Sequence, residues 1–520
     1  MVAEGKAMNP SLTDRLNPIL VREARIMVRS RWIVLAIVVY QLILIWAVAF
    51  VVMIGLAEGR KSEEAAQTLY WWISNITWNV TVITVVVYTG WRMAADRINE
   101  DLLFCTTITP AQNIRGRLAC GFVLSVLFYS MSAPYLSVTY LLRGIDLWPF
   151  LLWLPVALLK ITILNLVAIA VFSAARSWIQ FFFYALLFLL LAEPLQNLSV
   201  LAPLLILHPS VLTHGIHWQL SIFGYPFTRI PLQNEILLAL SVLSGVLYFI
   251  VPVTAFLFAR CNLSPYSSNR MMPIRRWLSW LLGVSFTFIF IAELWQRNLS
   301  GVFNYIPFLS VWMIFAIGVL SSMLVLSVCE RETWEGRLRR SIPKSRLRRA
   351  LVFPLFTGSI NGLLWVFLWT FWLAVVNSIL VLKSLNFQGT LVVNGYNPEN
   401  LLFPFRHLVF LMLVFDYSIT AFFLWKVLLY RQIPREMIWT VTLGLMIAVA
   451  TTCSLSAFFV QDTFHVTDNP MLLAPNPVSV YMADDFGYQL VFGLGWFCTI
   501  ILFGYPWLRN RFLDFTPESG

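Results

Sequence analysis

The sequence predicts an all-α fold: a polytopic transmembrane helical bundle of about twelve spans, set out as two six-helix repeats with both termini cytoplasmic. Three observations predict it. Of the 520 residues, 59% are hydrophobic and only 12% charged, where a soluble domain carries about 25% charged residues. Apolar runs of about twenty residues recur along the whole chain, and as a helix each crosses about 30 Å of hydrocarbon. The basic residues collect on one side of those runs. Such a composition excludes a string of soluble domains, a disordered or collagen-like chain, and a small disulfide-stapled scaffold.

The expected spans lie near 32–56, 70–91, 118–142, 148–172, 178–193, 235–258, 277–295, 308–328, 352–382, 407–429, 437–460 and 489–508. The fifth is short, and its apolar pattern runs past Glu193-Pro194 to Ile206, as in a broken or re-entrant element at the outer surface. An even number of spans puts both ends on one side. With the ends in the cytoplasm, 28 of the 36 Lys+Arg lie inside and seven outside: Arg60, Lys61, Arg143, Arg229, Arg297, Lys383 and Arg406. The opposite orientation inverts that ratio and is rejected. The net charge of +11 is therefore mostly a record of topology and implies no nucleic-acid role. The first apolar run starts after about thirty residues and lacks a small-residue cleavage site, so it is expected to remain as the first span.

The resulting organisation is a cytoplasmic N-terminus with an interfacial helix (1–31), a first six-span unit (32–260), a cytoplasmic linker (261–276), a second six-span unit (277–508) and a cytoplasmic tail (509–520). None of the six cysteines falls in an outer loop, which fits reduced thiols, and their spacing suggests no metal site.

Each half carries a long charged inner loop between its second and third spans. The first runs Asp96-Arg97-Ile98-Asn99-Glu100-Asp101-Leu102-Leu103-Phe104, then Thr109-Pro110, then Arg115 and Arg117. The second runs Glu330-Arg331-Glu332-Thr333-Trp334-Glu335, then Ile342-Pro343, then Arg346, Arg348 and Arg349. The order is shared: acidic cluster, proline, basic cluster, span. Proline suits a first helical position because its missing N–H costs nothing there. Each loop is therefore expected to hold a short helix along the membrane surface, its charges aligned with the helix dipole. The outer segments after the fifth and eleventh spans match as well, with Leu207-His208-Pro209-Ser210-Val211 against Pro475-Asn476-Pro477-Val478-Ser479. Two matches in the same order point to a duplicated unit.

Before the first span, Asn17-Pro18 opens a helix through Arg29. Arg22, Arg25 and Arg29 share one face, and Leu20, Ala24 and Met27 lie on another. That pattern predicts an interfacial helix, apolar side in lipid and basic side toward anionic head groups.

The segment from Leu16-Asn17-Pro18 to Arg22-Glu23 resembles the N-terminal start of type 2 ABC-transporter permeases. The loop from Glu100, Asp101 and Leu103 through Thr109-Pro110 to Arg115 and Arg117 looks like that family's loop after its second span. The outer proline segments are similar to its re-entrant outer helices. The resemblance covers the first six spans better than the second six. It implies a coupling helix formed by Glu100, Asp101, Leu103, Thr109, Pro110 and Arg115 that docks on an ATP-binding subunit. In the second half, Glu332, Trp334 and Pro343 hold the corresponding places, within a loop whose basic stretch from Arg337 to Arg349 departs from the family pattern. The resemblance further implies an exporter in a bacterial inner membrane, with ATP and Mg on the partner subunit. The chain has no G-x-x-x-x-G-K-[ST] stretch whose amides and lysine would hold phosphates, so no ATPase activity of its own is expected.

Two charges sit inside spans: Lys160 in the fourth and Asp416 in the tenth. A lone charge at mid-membrane costs about 2.5–3.5 kcal/mol on insertion scales. A mutual ion pair, a polar transport lining, or separate solutions within each half would each lower that cost. His208, His214 and His217 read as loop residues without a metal. Two other function classes remain open: a six-plus-six secondary transporter driven by an ion gradient, and a membrane-embedded enzyme using Asp462, His465, Asp468, Asp484 and Asp485.

Overall fold

The computed structural model describes residues 17–516, apart from 58–61, 98–107, 142–146, 176–180, most of 183–233, 266–267, 301–306, 331–333, 335, 392–398, 430–437 and most of 465–486. The chain divides into two compact units, Met1–Pro265 and Tyr266–Gly520. The division falls within the stretch read as a linker, where one helix ends at Leu263 and the next begins at Met272.

In the first unit, α1 (Pro18–Arg29) precedes α2 (Arg31–Ala57), α3 (Ser62–Thr81), a π-helical turn (Val82–Val86) and α4 (Val87–Arg97). Then come α5 (Pro110–Leu141), α6 (Leu147–Phe172) and α7 (Asn234–Leu263). The only strands among the described residues are a two-residue antiparallel pair, Ser221–Ile222 with Tyr225–Pro226. Helix α3 packs between α2 and α5, and α6 packs against α4, α5 and α7. One buried cluster joins Tyr40 and Leu44 of α2 to Leu69 and Ile73 of α3 and to Leu124 and Phe128 of α5. A second centres on Ile161, Ile169 and Phe172 of α6. Polar side chains inside the unit pair with one another, since lipid offers them no partner. The Thr89 hydroxyl donates to Asn165 Oδ1 at 2.6 Å, Tyr135 donates to Gln41 Oε1 at 2.8 Å, and the Tyr40 and Thr77 hydroxyls lie 2.9 Å apart.

The second unit contains α8 (Met272–Ser300), α9 (Pro307–Val328), two short helices α10 (Gly336–Arg340) and α11 (Arg346–Val352), and a 3-10 turn (Phe353–Leu355). It continues with α12 (Ser359–Leu391), α13 (Glu399–Leu424), a π-helical turn (Trp425–Leu429), α14 (Ile438–Phe464) and α15 (Gly487–Asp514). Helix α13 is its hub, packed against α9, α12, α14 and α15.

This is a membrane-embedded helical protein. Among the described residues five helical stretches are long and apolar enough to cross a bilayer: Arg31–Gly55, Pro110–Leu141, Leu154–Phe172, Ser359–Val376 and Leu408–Leu428. A sixth is the pair Tyr488–Ile500 and Gly504–Asp514, bent by 51° within α15. Pro506 lies just past that bend, where its ring clashes with the preceding turn and removes a backbone donor. Among the described residues, five or six of the twelve expected spans meet this measure. The second span region is diluted by the Ser, Asn and Thr residues of Ser62–Thr81. Three other apolar helices, Phe249–Leu263, Phe315–Val328 and Val441–Cys453, are short.

Candidate functional site

Each unit holds an ion pair whose carboxylate is buried. In the first unit, Asn17 caps α1: its Oδ1 accepts from the Ile19 N–H at 3.0 Å, and Pro18 takes the first helical position. The Asn17 Nδ2 also donates to the Gln112 carbonyl at 2.6 Å, tying α1 to the start of α5. Ile19, Glu23 and Met27, spaced by four, form the buried face of α1. Glu23 is only 2% exposed. Its carboxylate accepts from Arg92 Nε of α4 at 3.1 Å and from Arg22 Nη2 at 2.7 Å. Gly116 makes this approach possible, because a Cβ there would strike Ile19 and the Asn17 amide. The Cys120 thiol of α5 lies 3.5 Å from the Met27 sulfur. One part of the interfacial reading of α1 differs in the structure, the lipid-facing placement of Met27. Arg22, Arg25 and Arg29 are exposed as expected, but Met27 is buried against protein rather than lipid, because its stripe packs on α5.

At the start of α5, Thr109 and Gln112 cap each other. The Thr109 N–H donates to Gln112 Oε1 at 2.9 Å, and the Gln112 N–H to Thr109 Oγ1 at 3.3 Å. Pro110 opens α5, the spanning helix itself. Arg115 is exposed, its guanidinium 6.0 Å from the Phe256 ring. Arg117 is buried and donates through Nε to Asn113 Oδ1 at 2.9 Å. Glu100, Asp101 and Leu103 lie outside the described residues, as does the short helix expected there.

The second unit has an ion pair of its own, with the base on its leading helix. Arg275, in the first turn of α8, is fully buried. Its guanidinium donates to Glu330 Oε1 beyond the end of α9, to the Phe356 carbonyl, to the Pro354 carbonyl at 3.3 Å and to Ser327 Oγ at 3.4 Å. Glu330 Oε2 accepts from the Gly358 N–H at 2.6 Å. Gly358 has φ +145°, a backbone region that favours glycine. Burial pushes the Glu330 carboxyl above the usual carboxylate range, while Arg275, the Gly358 amide and Arg270 oppose that push. Asn269 Oδ1 accepts from both the N–H and the hydroxyl of Thr357 at 3.1 Å.

The second loop holds two short helices, α10 and α11, but its first acid does not open them. Glu330 is spent inside the protein, Glu332 lies outside the described residues, and α10 begins only at Gly336. Nor does Pro343 open a helix; it lies between α10 and α11, and Ser345 precedes α11. Trp334 is buried, donating through Nε1 to the Thr357 carbonyl at 2.9 Å with its ring 5.1 Å from that of Phe515. Around them Leu338, Ile342, Phe353, Phe356 and Ile360 close an aromatic-rich cluster that also holds the C-terminal end of α15.

Of the two charges inside spans, Lys160 is half-buried on α6 in the first unit and Asp416 is 2% exposed on α13 in the second. Neither carboxylate oxygen of Asp416 has a hydrogen-bond partner among the described residues. Beside it, the Tyr417 hydroxyl donates to the Pro475 carbonyl at 2.6 Å. Tyr417 is in the middle of the Leu408–Leu428 stretch, so Pro475 is held midway along it.

The histidines His208, His214 and His217, Glu193-Pro194, and the acids Asp468, Asp484 and Asp485 with His465 lie outside the described residues; Asp462 is in the last turn of α14. Among the described residues no His, Cys, Asp and Glu group is placed to hold a metal ion. Sequence reasoning missed Glu23, Arg92 and Arg275. For Glu23 a signal exists, a carboxylate in register with Ile19 and Met27; Arg92 and Arg275 carry none. Comparison with protein-family models, curated proteins and solved structures finds no match.

Proposed function

We propose that the chain is the transmembrane permease subunit of an ABC exporter, with both six-span halves of a twelve-span pathway fused in one polypeptide. ATP and Mg are bound by a separate ATP-binding subunit docked on the cytoplasmic loops. The observation that carries this reading is the pair of buried clasps. Glu23 with Arg92, and Arg275 with Glu330, each tie the unit's leading helix to a later element, α1 to α4 and α8 to the residue just past α9. In each unit the start of the following long helix is held there too, by Gly116 beneath Ile19 and by Gly358 on Glu330. A push on the loop therefore moves several helices together rather than bending one. Differential binding of ATP by the partner to two states would bias the permease through these clasps. Pro475, held midway along α13 by the Tyr417 hydroxyl, is compatible with the re-entrant outer element that the resemblance implies. Glu100, Asp101, Leu103, Thr109, Pro110, Arg115, Glu332 and Pro343 are assigned to the docking contact. Trp334 is assigned to holding the second loop in position.

The test is co-purification of the tagged chain with an ATP-binding subunit from its native membrane. Glu100→Lys or Pro110→Gly should then uncouple ATP hydrolysis from transport; intact coupling in both would refute the assignment. One observation favours a second reading, a secondary transporter: the buried carboxyl of Asp416, without partners among the described residues, beside the mid-span turn at Pro475. Uphill transport by the purified chain alone, on a proton or sodium gradient, would establish that reading instead.

A further inference from the structure

We propose that the loop between α9 and α12 is a binding site for the anionic head groups of phospholipids, with leucines of α11 inserted beside the acyl chains. From Arg337 to Arg349 the chain carries seven Lys+Arg and no acid. The loop is seated rather than loose, because Leu338 and Ile342 are buried in the cluster with Phe353, Phe356 and Phe515. Two of the arginines hold the loop's own backbone. Arg339 Nε donates to the Trp334 carbonyl at 3.3 Å, and Arg349 donates to the Pro343 and Lys344 carbonyls at 3.4 and 3.1 Å. Arg337, Lys344, Arg346 and Arg348 are exposed, and no carboxylate among the described residues pairs with them. They present four cations on a fixed frame.

The apolar neighbours of these cations identify the partner. Leu347 and Leu351, one turn apart on α11, are 73% and 68% exposed. Phe512 and Leu513 at the end of α15 are 50% and 61% exposed, and the Phe512 ring lies 5.2 Å from Phe353, just past α11. A nucleic acid or an acidic protein surface would satisfy the cations and leave these side chains in water. A bilayer surface satisfies both, with phosphates for the guanidinium groups and acyl chains for the leucines. The loop also leads directly into α12, whose Ser359–Val376 stretch is apolar enough to cross a bilayer, so it lies at head-group depth. The site requires only that the chain be embedded in a membrane, whatever drives transport.

The experiment titrates the full chain in neutral detergent with short-chain phosphatidylglycerol, phosphatidylcholine or inorganic phosphate, at low and high salt. Phosphatidylglycerol should bind saturably, about tenfold or more tighter than phosphatidylcholine, and salt should weaken it. The R337Q/K344Q/R346Q/R348Q variant should lose the preference, and R337K/R346K/R348K should keep it. L347S/L351S should weaken phosphatidylglycerol binding and leave inorganic phosphate unaffected. Equal affinity for the two lipids, or an unchanged preference in the fourfold glutamine variant, overturns the proposal. So does inorganic phosphate, an acidic peptide or an oligonucleotide binding as tightly as phosphatidylglycerol. If the fourfold variant fails to fold, the lipid preference of the unaltered chain and the L347S/L351S comparison decide.

Discussion

Replacing Arg275 by Met tests the second clasp directly. The guanidinium donates to one carboxylate oxygen, one hydroxyl and two backbone carbonyls, all out of contact with solvent. Met fills much of the same volume and supplies none of these donors. Glu330 is then a buried carboxylate held by the Gly358 amide, with Arg270 acting on it more weakly. Removing one member of a buried ion pair costs about 3–5 kcal/mol. At about 2–4 °C per kcal/mol for a unit of this size, the melting temperature should fall by about 6–20 °C. The assay is thermal unfolding in detergent, followed by size-exclusion fluorescence or thiol labelling, combined with Glu330→Leu in a double-mutant cycle. The double variant should recover at least about 2 kcal/mol relative to the sum of the single losses. The loss should also shrink at low pH. Without the guanidinium, burial raises the Glu330 carboxyl further, so the folded state holds its proton more tightly than the unfolded chain, and stability rises as pH falls. Additive losses, or a single-variant loss below about 0.5 kcal/mol, would refute the clasp.

In the first unit, Gly116→Val should force α1 off α5 and raise the rate of Cys120 alkylation severalfold, read by mass spectrometry, because Met27 covers that thiol. Thr109→Ala removes one half of the reciprocal cap on α5 and should cost about 1 kcal/mol in thermal unfolding. Asp416→Leu should raise stability by about 1–3 kcal/mol, since it removes a buried polar group without partners among the described residues. A fall in melting temperature would show that the carboxyl is satisfied in the folded protein. Trp334→Phe keeps the ring packed on Phe515 but loses the hydrogen bond to Thr357, and should cost about 1 kcal/mol by the same assay.

The helices themselves were legible because hydropathy and length are local properties. Most expected spans coincide with helices, and Asn17-Pro18 and Thr109-Pro110 begin helices as their capping chemistry dictates. What the sequence hid depends on distant contact. Arg275 and Glu330 are 55 residues apart, and each sits in a local charge cluster. Nothing in Glu330-Arg331-Glu332 marks the first acid as buried. The sequence drew attention to the order of acid, proline and base in the two inner loops. Yet Pro110 starts a spanning helix while Pro343 lies between two short ones, so the likeness of pattern hid a difference in local structure. Asp416 stood out in the sequence, but its company could not be read there, since Pro475 meets its neighbour Tyr417 from 58 residues away.

The opposite polarity of the two clasps bears on how a chain of two units sorts itself during synthesis. In the first unit the leading segment contributes the acid; in the second it contributes the base. If the leading segments traded places, Glu23 would meet Glu330 and Arg275 would meet Arg92. Glu23 and Glu330 would then share a site away from water, and Arg275 would lose its carboxylate, at a cost of several kcal/mol that the correct partnering avoids. The mismatch of sign would disfavour the exchanged pairing.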